Sequence, residues 1–411
     1  MKVIHLAYSD YIGGASIAAN RIHLSLLEEN IDSKIWVDAP SKKISKLNKF
    51  NSSLEKMYKI IRLFLVFPLL KLIKTDIPIH HSISILSSQW HKKINNSDAD
   101  VVNIHWVQRE MISIKDISKI KKPIVWTLHD MWAFCGAEHY TNDNRWREGY
   151  NSNNRPSYES GIDLNQWTWR RKKKYWKNPI QIITPSKWLA NCVQESKLMS
   201  NWPVSVIPYP LNIKFFKPMD KKIARNQLKV PLDIPLILFG AIGGVKDYRK
   251  GFDLLVSSLE HLKNDSKTKK FQLVVFGQEE PKSPPKLGFL VHYVGYLNND
   301  ISLRLIYNSA DAMIVPSRQD NLPNTCLEAQ ACGVPIVAFN TGGLSDIIEH
   351  KKTGYLAKAF DTKDLANGIT YVLDQIDTKK LGKNARQKAL EKYLPKTIAE
   401  KYKSIYERVL K

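Results

Sequence analysis

Residues 312–340 read AMIVPSRQDNLPNTCLEAQACGVPIVAFN, an apolar run, a polar loop, a helix and a second apolar run. Neither apolar run alternates with polar residues, as expected of strands buried on both faces of a parallel sheet. Asn324 is placed to cap the helix, Gly333 to stop it, and Pro335 prevents continuation. A strand–helix–strand unit of this length predicts a doubly wound α/β sheet. In such sheets ligands bind outside the carboxyl ends of the strands, which places the loop at 316–324 in the site. The unpaired N–H groups at the helix start, with the positive end of the helix dipole, can hold a diphosphate there.

Similar apolar runs lie on either side. Upstream in the same half they occur at 235–240, 271–277 and 290–296; in the first half they occur at 2–9, 34–38, 101–107, 123–129, 181–186 and 204–209. With 411 residues and 43% apolar content, the chain has material for two cores. We expect two doubly wound domains facing across a cleft, residues 1–215 and 216–395. A final amphipathic helix at 396–411, with Ile398, Tyr402, Ile405 and Val409 on one stripe, could pack on either domain. Residues 142–169, rich in Asn, Arg, Trp and Tyr, read as a long loop over the cleft.

The four cysteines (Cys135, Cys192, Cys326, Cys332) form no C-x-x-C pair, and residues 1–9 read as a strand rather than a signal peptide, so a cytoplasmic setting is expected. The formal charge of +23 is concentrated at 42–74 and in the run Arg170, Arg171, Lys172, Lys173, Lys174, Lys177, whose plain reading is a solvated basic face. Within 57–74, MYKIIRLFLVFPLLKLIK, Pro68 and the cations make the apolar centre too short to span a bilayer. Two readings stay open, a buried helix of the first domain or an in-plane anchor whose basic residues Lys59, Arg62, Lys71 and Lys74 meet anionic headgroups of the inner membrane.

Asp320, in the loop, and Glu328, inside the helix, are separated by seven residues. Asp320 would face a sugar, and Glu328 could accept from ribose hydroxyls. The segment DYRKG at 247–251 follows the glycines Gly243 and Gly244, and its Arg249 and Lys250 could neutralise a departing diphosphate. Gly13 and Gly14 form a turn after the first strand. His129 ends PIVWTLH and precedes Asp130 and Trp132; His105 and Trp106 end VVNIHWV. His105 is as readily a core histidine as an acceptor-side group.

Together these motifs resemble the retaining, family-4 type glycosyltransferases of GT-B architecture, and SRQDNLPNTCLEA is most similar to the branch serving exopolysaccharide, colanic-acid and O-antigen assembly. The resemblance implies Asp320, Glu328, Lys250 and His129 as the catalytic residues and a nucleotide-sugar donor bound by Gly13, Gly14, Arg249, Asn321, Leu322, Pro323, Asn324 and Thr325, with the base near Gly295 and Tyr296. His129 would lie beside the donor sugar, and His105, Trp106, Asp130 and Trp132 on the acceptor side. The family's first acidic residue is usually Glu, where this chain has Asp320. A saccharide acceptor, a growing lipid-linked chain, is implied with it, and the expected activity is that of a hexosyltransferase.

Retention is expected to proceed by front-face substitution without a carboxylate nucleophile. No cofactor beyond the donor is expected and no metal, the reading counting on no D-x-D motif between the strands and no paired cysteines at 142–151. A nucleotide-sugar epimerase on the same architecture is the alternative. A nucleic-acid-binding protein is a weaker one, carried by charge alone without an RRM, KH or zinc-finger signature, and no G-x-x-x-x-G-K-S/T loop of a P-loop kinase is present.

Overall fold

The computed structural model describes residues 1–40, 53–240, 247–263, 268–297, 299–377 and 379–411. They form two units, Met1–Pro210 with Pro395–Lys411, and Leu211–Leu394.

The first unit contains β1 (Lys2–Ser9), β2 (Asp32–Ala39), β3 (Ile73–Thr75), β4 (Val101–Ile104), β5 (Ile124–Thr127), β6 (Glu159–Gly161), β7 (Gln181–Thr184) and β8 (Val204–Val206). Its main sheet is parallel throughout, in the order β2-β1-β4-β5-β7-β8. β4 and β7 are buried along their whole length, which explains why polar alternation is missing from their sequences. The second unit contains β9 (Leu236–Gly240), β10 (Gln272–Phe276), β11 (Val291–Tyr293), β12 (Ala312–Val315), β13 (Ile336–Phe339) and β14 (Gly354–Ala357). It too is parallel, ordered β11-β10-β9-β12-β13-β14, the doubly wound arrangement in which chain direction across the sheet reverses between β9 and β12.

The final helix, Pro395–Leu410, belongs to the first unit. Ile398, Tyr402, Ile405 and Tyr406 are its buried stripe, while Val409 stays partly exposed. Polar groups in the sheet register it: Asn103 Nδ2 donates to Tyr406 Oη at 2.7 Å, Thr127 Oγ1 donates to Asn103 Oδ1 at 3.0 Å, and Thr127 Oγ1 meets Tyr402 Oη at 3.3 Å.

Three expectations need correction. Residues 142–169 are not simply a loop: they hold the helix Arg145–Glu148, strand β6 and the start of the helix Leu164–Tyr175, with Trp146, Tyr150 and Trp169 buried. Arg145, itself buried, ties this segment together through Asp163 (2.5 Å) and Glu159 (3.4 Å), so part of its polar composition serves an internal charge network while Asn142, Asn144, Arg147 and Asn151 face solvent.

The basic run at 170–177 is not uniformly a solvated face either. Arg171 donates to the carbonyls of Ile83 and Ser84 at 2.8 and 3.0 Å. Lys172 is fully buried; its ammonium donates to the carbonyls of Trp132, Cys135 and Gly136, and burial pushes its pKa down to about 7. Those carbonyls are what an ammonium's three N–H bonds require once removed from water.

Lastly, Lys59 and Arg62 of the helix Ser53–Leu70 turn inward. Lys59 pairs with Asp38 at 2.8 Å and Arg62 donates to the carbonyls of Glu110 and Met111. Neither can serve as a headgroup contact.

Candidate active site

In the second unit the carboxyl ends of β9 and β12 bring together the two segments singled out in the sequence. Gly243 and Gly244 lie outside the described residues. Beyond them the turn Tyr248–Lys250 is opened by Asp247, whose carboxylate accepts from the Arg249 N–H at 3.1 Å and pairs with its guanidinium at 2.8 Å. Arg249 is therefore already engaged with its neighbour. Lys250 instead reaches Asp320, Nζ to Oδ2 at 2.6 Å.

Two glycines fix this pair. Gly251 has φ +65, and a Cβ there would come within 2.0 Å of the Pro316 carbonyl. Gly342, φ +55, has the Asp320 carbonyl 2.1 Å from where a Cβ would be, and the Gly343 N–H donates to that same carbonyl at 2.9 Å. No side chain is tolerated where these backbones cross. Burial alone would raise the Asp320 carboxyl; the charges of Lys250 and Arg249, the Lys250 hydrogen bond and the Asn321 N–H together hold it below the usual range. The two side chains thus form a fixed ion pair at the end of the sheet.

The helix that follows is Asn324–Ala331, with Pro323 at its N-cap position and no side-chain cap. Asn324 is accordingly the first helical residue rather than the cap, because Pro323 holds the extended conformation that entry requires. Pro323, Asn324 and Thr325 are half-buried while Asn321 and Leu322 are buried, so the helix start retains access to solvent. Glu328, on the next turn, is buried and accepts from Tyr307 Oη at 2.7 Å. At the same end of the sheet, the Gly295 carbonyl accepts from the Gly277 N–H at 2.9 Å, and Tyr296 is exposed instead of lying in the core.

The first unit reverses direction between β1 and β4. Gly13, φ +88, precedes the helix Gly14–Glu28 with nothing within 4 Å of a would-be Cβ, which leaves room for a ligand at the turn. Deeper in lies a chain that sequence reading missed: His5 Nδ1 meets His105 Nε2 at 2.8 Å, His105 Nδ1 meets His129 Nε2 at 3.0 Å, and His129 Nδ1 meets Tyr209 Oη at 2.7 Å. All four groups are buried. Burial pushes His5 and His105 well below the usual imidazole range, and His129 down to about 4.

Both ring nitrogens of His129 are thus held within the unit, and a sugar hydroxyl could bond to it only by displacing Tyr209 or His105. His105 is a core histidine and does not line a surface. Trp132 is also core, its Nε1 donating to the Ser82 carbonyl at 2.8 Å. Trp106 and Asp130 belong to a second cluster: Asp130 Oδ2 accepts from Trp106 Nε1 at 2.9 Å and meets His139 Nδ1 at 2.6 Å. Burial would raise Asp130, but His139 and these hydrogen bonds hold its carboxyl below the usual range.

One D-x-D triplet does occur, Asp98-Ala99-Asp100, contrary to the sequence reading. It stands before β4, at the opposite end of the strand from His105, and its carboxylates serve Lys2: Asp98 pairs with the ammonium at 2.9 Å and Asp100 accepts from the N–H at 2.7 Å. Among the described residues no group of three or more His, Cys, Asp or Glu side chains is placed to hold a metal ion.

The chain is 34% identical over 144 residues to an N,N'-diacetylbacillosaminyl-diphospho-undecaprenol alpha-1,3-N-acetylgalactosaminyltransferase of Campylobacter jejuni, an alignment covering 34% of this chain and 37% of that one. The chain spans about two fifths of the length of the curated relatives it matches first. Two solved structures superimpose over essentially the whole length. A sucrose-phosphate synthase from Thermosynechococcus elongatus does so with TM-score 0.68 at 18% identity, covering 100% of this chain and 99% of that one. HepE of Anabaena in complex with UDP-glucose gives 0.66 at 16%, covering 99% and 100%. Residues 220–388 match the family described as glycosyl transferases group 1, and the two parallel-sheet units have the GT-B fold.

Proposed function

We propose that the protein transfers a hexose-type sugar, with retention of configuration, from a nucleoside-diphosphate donor to a growing lipid-linked saccharide in surface polysaccharide assembly. The observation that carries this reading is the Lys250–Asp320 pair, held at the switch point of the second sheet beside an uncapped helix start. Such a place offers a diphosphate one fixed cation and several oriented N–H groups. The family match at 220–388 supports the donor class, and the undecaprenol-linked acceptor in the Campylobacter relative's name supports the acceptor class.

In this reading the bond from the anomeric carbon to the diphosphate oxygen breaks while a bond from that carbon to the acceptor oxygen forms on the same face. The acceptor's proton passes to the departing phosphate oxygen. Lys250 and the amides at Asn324 and Thr325 stabilise the charge gathering on the leaving group, and Asp320 keeps Lys250 in place. Stabilisation aimed at developing charge is the largest catalytic contribution open to such a site, and no bound metal is required for it. Tyr296 offers an exposed ring for the base.

A thermal-shift screen of UDP-, GDP-, ADP- and dTDP-sugars should find one donor that raises the melting temperature, followed by a transfer assay with lipid-linked acceptors. Lys250→Ala is expected to lower kcat/KM about 10²–10³-fold with an unchanged circular dichroism spectrum. Transfer by Lys250→Ala at the wild-type rate would remove the assignment.

A further inference from the structure

The helix Ser53–Leu70 is built inside out. A surface helix of a water-facing protein buries an apolar stripe and turns its charges outward. Here the inward stripe contains Lys59, Arg62 and Val66, the two cations committed to Asp38 and to the carbonyls of Glu110 and Met111. The outward side carries Ile60, Phe64, Leu65 and Phe67, with Phe64 80% exposed.

This face cannot turn over to hide itself. The Lys59–Asp38 ion pair and the Arg62 hydrogen bonds fix the middle of the helix, and its far end runs into β3, which pairs with β6 at Ile73–Gly161, Lys74–Ser160 and Thr75–Glu159. Beyond the apolar patch come Lys71 and Lys74, both exposed, the Lys71 ammonium lying 4.8 Å from the Phe67 ring centroid. An apolar face bordered by exposed cations is the profile of a helix resting at the level of lipid headgroups. No helix among the described residues is long and apolar enough to cross a membrane.

We propose that this helix lies in the plane of a bilayer surface containing anionic lipid, its Ile60–Phe67 side entering the acyl boundary and Lys71 and Lys74 meeting the headgroups. The net charge of +23 favours such a surface over association with a second copy of the same chain, whose like charge would oppose contact. The proposal is independent of the proposed transfer reaction, since its readout is binding.

Flotation of the full chain with vesicles of phosphatidylcholine, with and without phosphatidylglycerol, tests it. Binding is expected to the anionic vesicles, to weaken as salt rises, and to fall about tenfold or more in Phe64→Glu/Phe67→Glu. Lys71→Glu/Lys74→Glu should bind less and with a weaker salt dependence. Circular dichroism and melting temperature of both variants should match the wild type, because the altered side chains are exposed. The proposal fails if the wild type does not float with anionic vesicles at low salt, or if Phe64→Glu/Phe67→Glu floats as well as the wild type. It also fails if light scattering shows a dimer that Phe64→Glu/Phe67→Glu abolishes in the absence of lipid binding.

Discussion

A neutral imidazole has one N–H and one lone pair, so in a row of histidines the tautomer of one dictates the next. His5 Nε2 is buried and without a partner, and an orphaned lone pair costs less there than an orphaned N–H. That places a proton on Nδ1 of His5, His105 and His129 in turn, with His129 donating to Tyr209 Oη. His105→Ala removes a partner on both sides at once and opens a cavity, and should cost about 2–4 kcal/mol in urea denaturation. His5, His23, His80, His81, His105 and His129 all have folded pKa values lowered chiefly by burial, so the folded state binds fewer protons than the unfolded. Their contribution is intact above about pH 6.5, the ordinary imidazole value, and is lost as pH falls toward 4. Burial raises Glu110, Asp143 and Glu159, which act in the opposite sense but are fewer. Melting temperature should therefore fall between pH 6.5 and 4; a rise over that interval would show that the carboxyls dominate.

Among the elements, the final helix rests on a polar register as well as an apolar stripe. Tyr406→Phe keeps the ring and deletes the hydroxyl that Asn103 Nδ2 donates to, so it should cost about 1–2 kcal/mol by the same denaturation measurement. The strands of both sheets were legible in the sequence because unalternated apolar runs have few other uses in a chain of this size. The turn and helix around Asp320 were legible because Pro and Gly punctuate them. β14 was not, since its sequence GYLA is short and opens on glycine. The packed character of 142–169 was hidden because Arg145, Glu159 and Asp163 read as solvated residues until they are brought together. Lys172 was concealed in a run of cations for the same reason. The histidine chain lay beyond reach: its contacts join residues 100, 24 and 80 positions apart, and nothing local in the sequence marks such pairings.

For the whole molecule, the first unit consists of Met1–Pro210 and Pro395–Lys411, with the second unit between them in sequence. Ending the chain before Pro395 would leave Asn103 and Thr127 without their tyrosine partners and bare the surface that Ile398, Tyr402, Ile405 and Tyr406 cover. The truncated protein should bind a hydrophobic dye and lose near-ultraviolet dichroism, whereas equal spectra for the two chains would mean that the helix is dispensable. On the ribosome the segment Leu211–Leu394 is therefore synthesised whole before the unit that began first has its last piece. The sheet of the first unit must wait for Pro395–Lys411 to be made, and a truncation just before Pro395 damages a unit built mostly from residues far upstream of the cut.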